Sequence, residues 1–311
     1  MTTTLSPQQM MRELEPLVAK AMDRHLAQAG EWFPHEFVPY EAGRNYLHEP
    51  WQPSDSTLPD IAKIAIELNL LTEDNLPYYT VALTEGFGKT EAWGAWVRRW
   101  TAEEGRHSIL LRDYLVVTRG IDPVALERNR MDMVQRGWYP EFPHLGPLDG
   151  VAYTTLQELA TRISHRNTGT VTNDETALKV LQRIATDENL HYLFYRELGD
   201  HALGLAPSDM MLAIRRQVLG FAMPGADMPG FRDRAKAMAV AGVYNFRIHH
   251  DQILHRVLVK HWKIDQLEGL TDEAKQARDD VLAHMAKLDR VASKLDERGE
   301  PVEGRVVGAP D

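Results

Sequence analysis

Thr101-Ala-Glu-Glu-Gly-Arg-His107 and Asp187-Glu-Asn-Leu-His191 each place a glutamate three residues before a histidine, in the middle of a long helical pattern. On an α-helix residues three apart share a face, so Glu104 with His107, and Glu188 with His191, can each reach one metal ion. The flanking residues mark that face as an inner one. Around the first pair it reads Trp93, Trp96, Trp100, Glu104, His107, Leu111, Tyr114; around the second, Ala177, Leu181, Ile184, Glu188, His191, Tyr195, Leu198. Apolar stripes at this spacing face a core, where an uncompensated carboxylate is costly. Something must balance Glu104 and Glu188.

Spacing alone decides little, because 23 glutamates and 13 histidines in 311 residues yield about one such pair by chance. A third pair, Glu141-Phe-Pro-His144, lies among prolines and is expected to be a loop. The two helical pairs share a second regularity. Glu73 precedes Glu104 by 31 residues and Glu158 precedes Glu188 by 30, with turn residues near the centre of each interval: Gly86-Phe-Gly88, and Asn167-Thr-Gly169 through Asn173. Two antiparallel helices joined there bring each lone glutamate level with its Glu-x-x-His. Four carboxylates and two imidazoles suit iron or manganese, and four carboxylates balance two divalent cations. This donor set marks the ferritin-like di-metal bundles, so the fold class expected is all-α, with a ferritin-like four-helix core and additional packed helices.

The rest of the chain agrees. Helical periodicity covers 6–28, 58–85, 90–118, 122–136, 148–167, 173–202, 207–220, 229–243, 246–262 and 271–297, with an irregular stretch at 40–58. One domain over 1–299 is expected, followed by a mobile Gly/Pro-containing tail at 300–311. The chain has no cysteine, which excludes disulfides, thiolate zinc sites and all-cysteine clusters. A net charge of −10 argues against nucleic acid as a partner. No apolar run reaches the roughly eighteen residues of a membrane span, and the start of the chain lacks a secretory pattern, so a cytoplasmic protein is expected. Gly88-Lys89-Thr90 fails as a phosphate loop, because Leu83 stands where a glycine is required. Trp93, Trp96 and Trp100 read as core, and His249, His250 and His255 are too scattered in direction for a metal site. Helix 271–297, rich in charge, reads as a solvated outer helix.

At the residues just named the chain resembles the acyl-[acyl-carrier-protein] desaturases. The two Glu-x-x-His segments resemble the iron-binding motifs of that family. Leu71-Thr-Glu-Asp-Asn-Leu-Pro77 and Leu156-Gln-Glu-Leu-Ala-Thr-Arg-Ile-Ser-His-Arg-Asn-Thr168 are similar to the segments that supply its lone carboxylates, and Trp32-Phe-Pro-His-Glu-Phe-Val-Pro39 to an N-terminal segment. The resemblance spans about residues 10 to 297 and is nearest the actinobacterial branch. It implies two iron ions held by Glu73, Glu104, His107, Glu158, Glu188 and His191, with Thr161 assisting oxygen activation and Asp187 and Trp32 buttressing a ligating histidine. It also implies dioxygen as co-substrate, a fatty acyl chain on an acyl carrier protein as substrate, a ferredoxin-like electron donor and a homodimer. Gly105, Ser108 and the pair Asn189-Leu190 depart from the commoner family residues, the last where carrier docking is expected.

The carrier is acidic, so a local basic surface is expected; clustering in sequence nominates Arg98, Arg99, Arg215, Arg216, Lys260 and Lys263. A ribonucleotide reductase small subunit would carry a tyrosine at position 111, where this chain has Leu, and an iron-storage ferritin would be much shorter. A di-iron N-oxygenase or hydroxylase of the same fold is the alternative.

Overall fold

The computed structural model describes residues 5–223 and 230–298. Among these the regular structure is entirely helical. Helix α1 (Pro7–Ala29) starts at Ser6, whose hydroxyl accepts from the Gln9 amide while the Gln9 side chain accepts from the Ser6 amide, a capping box. Residues 30–59 then wrap the bundle as irregular chain with three short 3₁₀ turns. There follow α2 (Asp60–Glu73), α3 (Leu76–Phe87), α4 (Glu91–Val117), α5 (Pro123–Arg136), α6 (Phe142–Leu145), α7 (Pro147–Thr170), α8 (Glu175–Leu205), α9 (Pro207–Leu219) and α10 (Phe231–Val240). After α11 (Phe246–Ile248) the chain continues directly into a π-helix, His249–His261, and ends on α12 (Asp272–Arg298).

The central bundle is α2, α4, α7 and α8. Helices α7 and α8 form an antiparallel hairpin, α2 packs on α4 and α7, and α4 packs on α8. Two apolar clusters fill it. One gathers Trp93, Trp96, Trp100, Leu156, Tyr195 and Leu198; the other gathers Ile66, Leu70, Leu110, Leu111, Tyr114, Ala177, Leu181 and Ile184. Along α4 and, in reverse, along α8, the Glu-x-x-His sits where one cluster gives way to the other.

Four features depart from the expectations. The single helix expected over 58–85 is broken after Glu73: Pro77 has no amide to return to the Glu73 carbonyl, and Asn75 closes the gap through 2.8 Å hydrogen bonds with the Trp138 backbone. Glu141–His144 is not loop but part of a single helical turn, and it leaves both Glu141 and His144 exposed. The segment 246–262 is mostly π-helix rather than α-helix. The helix expected over 229–243 is shorter, Phe231–Val240, and residue 229 lies outside the described residues, as does the tail 300–311. Helix α12 is an outer helix as expected, with Ala277, Val281, Met285 and Leu288 buried along one stripe.

Candidate metal centre

Each helix of the bundle carries its share of one polar cluster. Glu73 ends α2, Glu104 and His107 lie mid-α4, Glu158 mid-α7, and Glu188 and His191 mid-α8. All six side chains are buried. Their donor atoms form two groups, Glu73–Glu104–His107–Glu188 and Glu104–Glu158–Glu188–His191, each with its atoms within 4.8 Å of one another. Glu104 and Glu188 belong to both. They stand between two positions, one flanked by Glu73 and His107, the other by Glu158 and His191. His107 Nδ1 lies 3.2 Å from Glu104 and 3.4 Å from Glu188, and His191 Nδ1 lies 2.8 Å from Glu104 and 3.5 Å from Glu158.

The donor atoms behave as ligand atoms should. His107 Nδ1, His191 Nδ1, Glu104 Oε1 and Glu158 Oε2 are buried without a hydrogen-bond partner among the described residues, although buried polar atoms are nearly always satisfied. Burial, reinforced by the charge of Glu188, raises Glu104 and lifts Glu158 well above the usual carboxylate range. Despite burial, the His107 imidazole holds Glu73 and Glu188 low, so the imidazoles offset part of the cluster's charge and leave Glu104 and Glu158 uncompensated. Two divalent cations between these groups would satisfy both the orphaned atoms and the charge.

The outward nitrogens of the two histidines face acids. His107 Nε2 faces Asp187 Oδ2 at 3.5 Å, and Asp187 accepts from Trp32 Nε1 at 2.9 Å, from Arg106 at 3.2 Å and from Arg183. His191 Nε2 bonds Glu103 Oε2 at 2.9 Å, and Glu103 is shared with His25 Nε2 at 2.8 Å and Arg99 Nε at 2.6 Å. Thus the acid preceding each shared glutamate serves the histidine of the opposite helix. His25, Glu103 and His191 form a third compact group, but its Nε2 atoms are already engaged in these bonds. Thr161 Oγ1 donates to Glu188 Oε2 at 2.9 Å. Trp100 Nε1 donates to Glu158 Oε1 at 2.9 Å, and His165 Nε2 lies 3.0 Å from Glu73 Oε1.

The structure thus gathers all nine residues nominated from the sequence. It adds Glu103, His25, Trp100 and His165, which sequence reasoning passed over or assigned to the core. Signals were present. Glu103 and Asp187 occupy the same place in the two motifs, His165 stands two helical turns after Glu158, and His25 continues the apolar stripe Met10, Leu14, Val18, Ala21 of α1. Trp93, Trp96 and Trp100 are core as expected. His249, His250 and His255 form no metal-competent group among the described residues.

Two cavities reach residues that bond the cluster, one at Trp100 and one at Thr161 and His165. A narrow, almost wholly apolar one is lined by Tyr79, Leu83, Trp100, Phe142, Tyr153 and Gln157. Another, of about 90 Å³, has Asn69, Thr72, Thr161, Ser164 and His165 together with Leu68, Phe231, Met238 and Tyr244 on its walls.

A family model described as fatty acid desaturase matches residues 6–306. The chain belongs to the acyl-[acyl-carrier-protein] desaturase family. It is 43% identical over 305 residues to DesA1 of Mycobacterium tuberculosis, which carries that family's name, with 95% of this chain and 90% of DesA1 covered. A chloroplastic stearoyl-[acyl-carrier-protein] 9-desaturase of Simmondsia chinensis is 28% identical over 293 residues, covering 87% of this chain and 72% of the plant protein. The X-ray structure of DesA2 from M. tuberculosis matches with a TM-score of 0.69 and 31% identity, over 86% of this chain and 98% of that one. Among the described residues no helix of this desaturase-family chain is long and apolar enough to cross a membrane.

Proposed function

We propose that this protein desaturates a fatty acyl chain carried on acyl carrier protein, using dioxygen at two iron ions and two electrons from a ferredoxin-like donor. The single observation that carries the reading is the doubled donor set, with Glu104 and Glu188 common to two four-donor groups. When bound, the irons supply reductive activation of dioxygen and removal of hydrogen from unactivated carbon. The reaction balances: one CH₂–CH₂ unit, O₂, two electrons and two protons give one CH=CH unit and two waters.

The chain's own residues do the positioning. Asp187 and Glu103 fix the two imidazoles with Nδ1 inward, the usual role of residues behind a ligating histidine. Thr161 holds a hydroxyl proton against Glu188, at a point open to the cavity beside His165. The apolar walls of the narrow cavity beside Trp100 suit an aliphatic chain and would keep bulk water from the reacting carbons. The protein works on this reading in the cytoplasm, as a homodimer.

Iron analysis of protein from iron-rich medium should give close to two per chain, and Glu188→Ala or His107→Ala should lower it sharply. Mass spectrometry of products from a panel of acyl-carrier substrates should show the loss of two hydrogens. Full iron content in both variants would refute the ligand assignment, and addition of one oxygen to the product would favour a hydroxylase of the same fold.

A further inference from the structure

Cationic side chains gather on one face, without ion-paired acids among the described residues. Arg162 and Arg166 of α7, Arg196 of α8, and Arg256 and Lys260 of the π-helix come from three packed elements. Among the described residues none of Arg162, Arg196, Arg256 and Lys260 is in an ion pair. Among the described residues Arg166 bonds only the amide oxygens of Asn167 and, at 3.3 Å, of Gln252 on the π-helix. Arg196 lies over the Tyr192 ring at 5.5 Å. The like charges feel one another: burial and then the charges of Arg256 and Arg166 lower Arg162, while burial and then Arg196 and Arg256 lower His261. Asp200 faces His261, and Glu197 is taken by Arg24.

The cations nominated by clustering in sequence are mostly engaged elsewhere. Arg99 is paired with Glu103, Arg215 with Asp280 and Arg216 with Asp149, and Arg98 donates to the Lys89 carbonyl. In a chain of net charge −10, unneutralised arginines on one face cost repulsion that an anionic partner would relieve.

We propose that the face formed by Arg162, Arg166, Arg196, Arg256 and Lys260 is the docking surface for the acidic carrier protein. This rests on the function proposed above. Arg162 and Arg166 stand on the same helix, α7, that carries Glu158 and Thr161 at the candidate centre. A second copy of this chain is a poor occupant, since a two-fold contact sets the same patch against itself and arginine against arginine.

The test is an Arg166→Glu/Arg256→Glu variant, both positions being exposed, beside an Arg98→Glu/Lys263→Glu control. Binding of acyl-loaded carrier protein is measured by calorimetry at low and high salt, with KM, kcat, iron content and sedimentation in parallel. The first variant should bind about tenfold or more weakly, with a flattened salt dependence and a raised KM, because rim charges act through steering. Its kcat and iron content should hold, and the control should bind as wild type does. Wild-type binding and salt slope in the first variant would overturn the assignment, as would a change in its oligomeric state or equal competition by an oligonucleotide of matched charge. If wild-type protein bound no carrier at any salt, the carrier reading itself would fall, an outcome distinct from failure of this surface alone.

Discussion

Replacing Glu103 by Gln should weaken iron binding although Glu103 touches no metal. Its carboxylate accepts from His191 Nε2 at 2.9 Å, from His25 Nε2 at 2.8 Å and from Arg99 Nε at 2.6 Å. Both histidines bond the same oxygen, Oε2, so an amide can keep its one oxygen on the fork only by setting its NH₂ against Arg99, and a neutral oxygen holds the imidazoles more weakly than a carboxylate does. Losing a carboxylate behind a ligating histidine typically costs 10- to 100-fold in metal affinity, which is about 1.4–2.8 kcal/mol. The assay is anaerobic competition for Fe(II) against a chelator of known affinity, with Mössbauer spectra to separate the two irons. Glu103→Gln should perturb the iron beside His191, and Asp187→Asn the one beside His107. Arg99→Ala is the discriminating control: the Arg99 side chain is 34% exposed, so its loss leaves the histidine fork in place and should shift affinity little. If Glu103→Gln keeps two irons at wild-type affinity while Arg99→Ala loses them, Glu103 is a partner for Arg99 and the orienting role is wrong.

Thr161→Val keeps the shape but removes the hydrogen bond to Glu188; iron content should persist while product formed per dioxygen consumed falls, and an unchanged ratio would leave Thr161 a packing residue. His165→Ala frees the outer oxygen of Glu73, and chelator competition should show weaker loading at the position beside His107, with His165→Gln partly restoring it. Gly199→Ala should lower thermal stability by about 2 kcal/mol or more, because a methyl there overlaps the Trp262 ring, itself fixed by a 3.0 Å bond to the Arg196 carbonyl; a melting temperature equal to wild type would show that the indole can move. Asp55 is held at about 2 by the Gln52 amide and then by Arg119 and Arg44. Since its folded value lies below the ordinary carboxylate value, its contribution is complete above about pH 4 and is lost as pH falls toward about 2. Asp55→Asn should therefore flatten stability against pH between about 4 and 2, read by urea melts across that range.

Much of the candidate centre, and of the helices that carry it, was legible in the sequence. That information is local: a Glu and a His three apart share a helix face whatever the rest of the chain does, and an apolar stripe at helical spacing states which face is buried. The 31- and 30-residue offsets of Glu73 and Glu158 carried it one step further, to two hairpins meeting at one site. The break after Glu73 was also written there, in Pro77, though periodicity on both sides concealed it. What only the tertiary structure decided depends on contacts between distant residues. The matching places of Glu103 and Asp187 in the two motifs hint at a shared role, but only packing shows that Glu103 meets His191, 88 residues away, and that His25 from α1 closes the same bond pair. Likewise runs such as Arg98-Arg99 and Arg215-Arg216 look like free charge until the fold brings up Glu103, Asp280 and Asp149, whereas Arg162, Arg196 and Arg256, dispersed along the chain, become a single patch. Neutralisation falls off over ångströms, so which charges remain free is settled by packing distances rather than by neighbours in the chain.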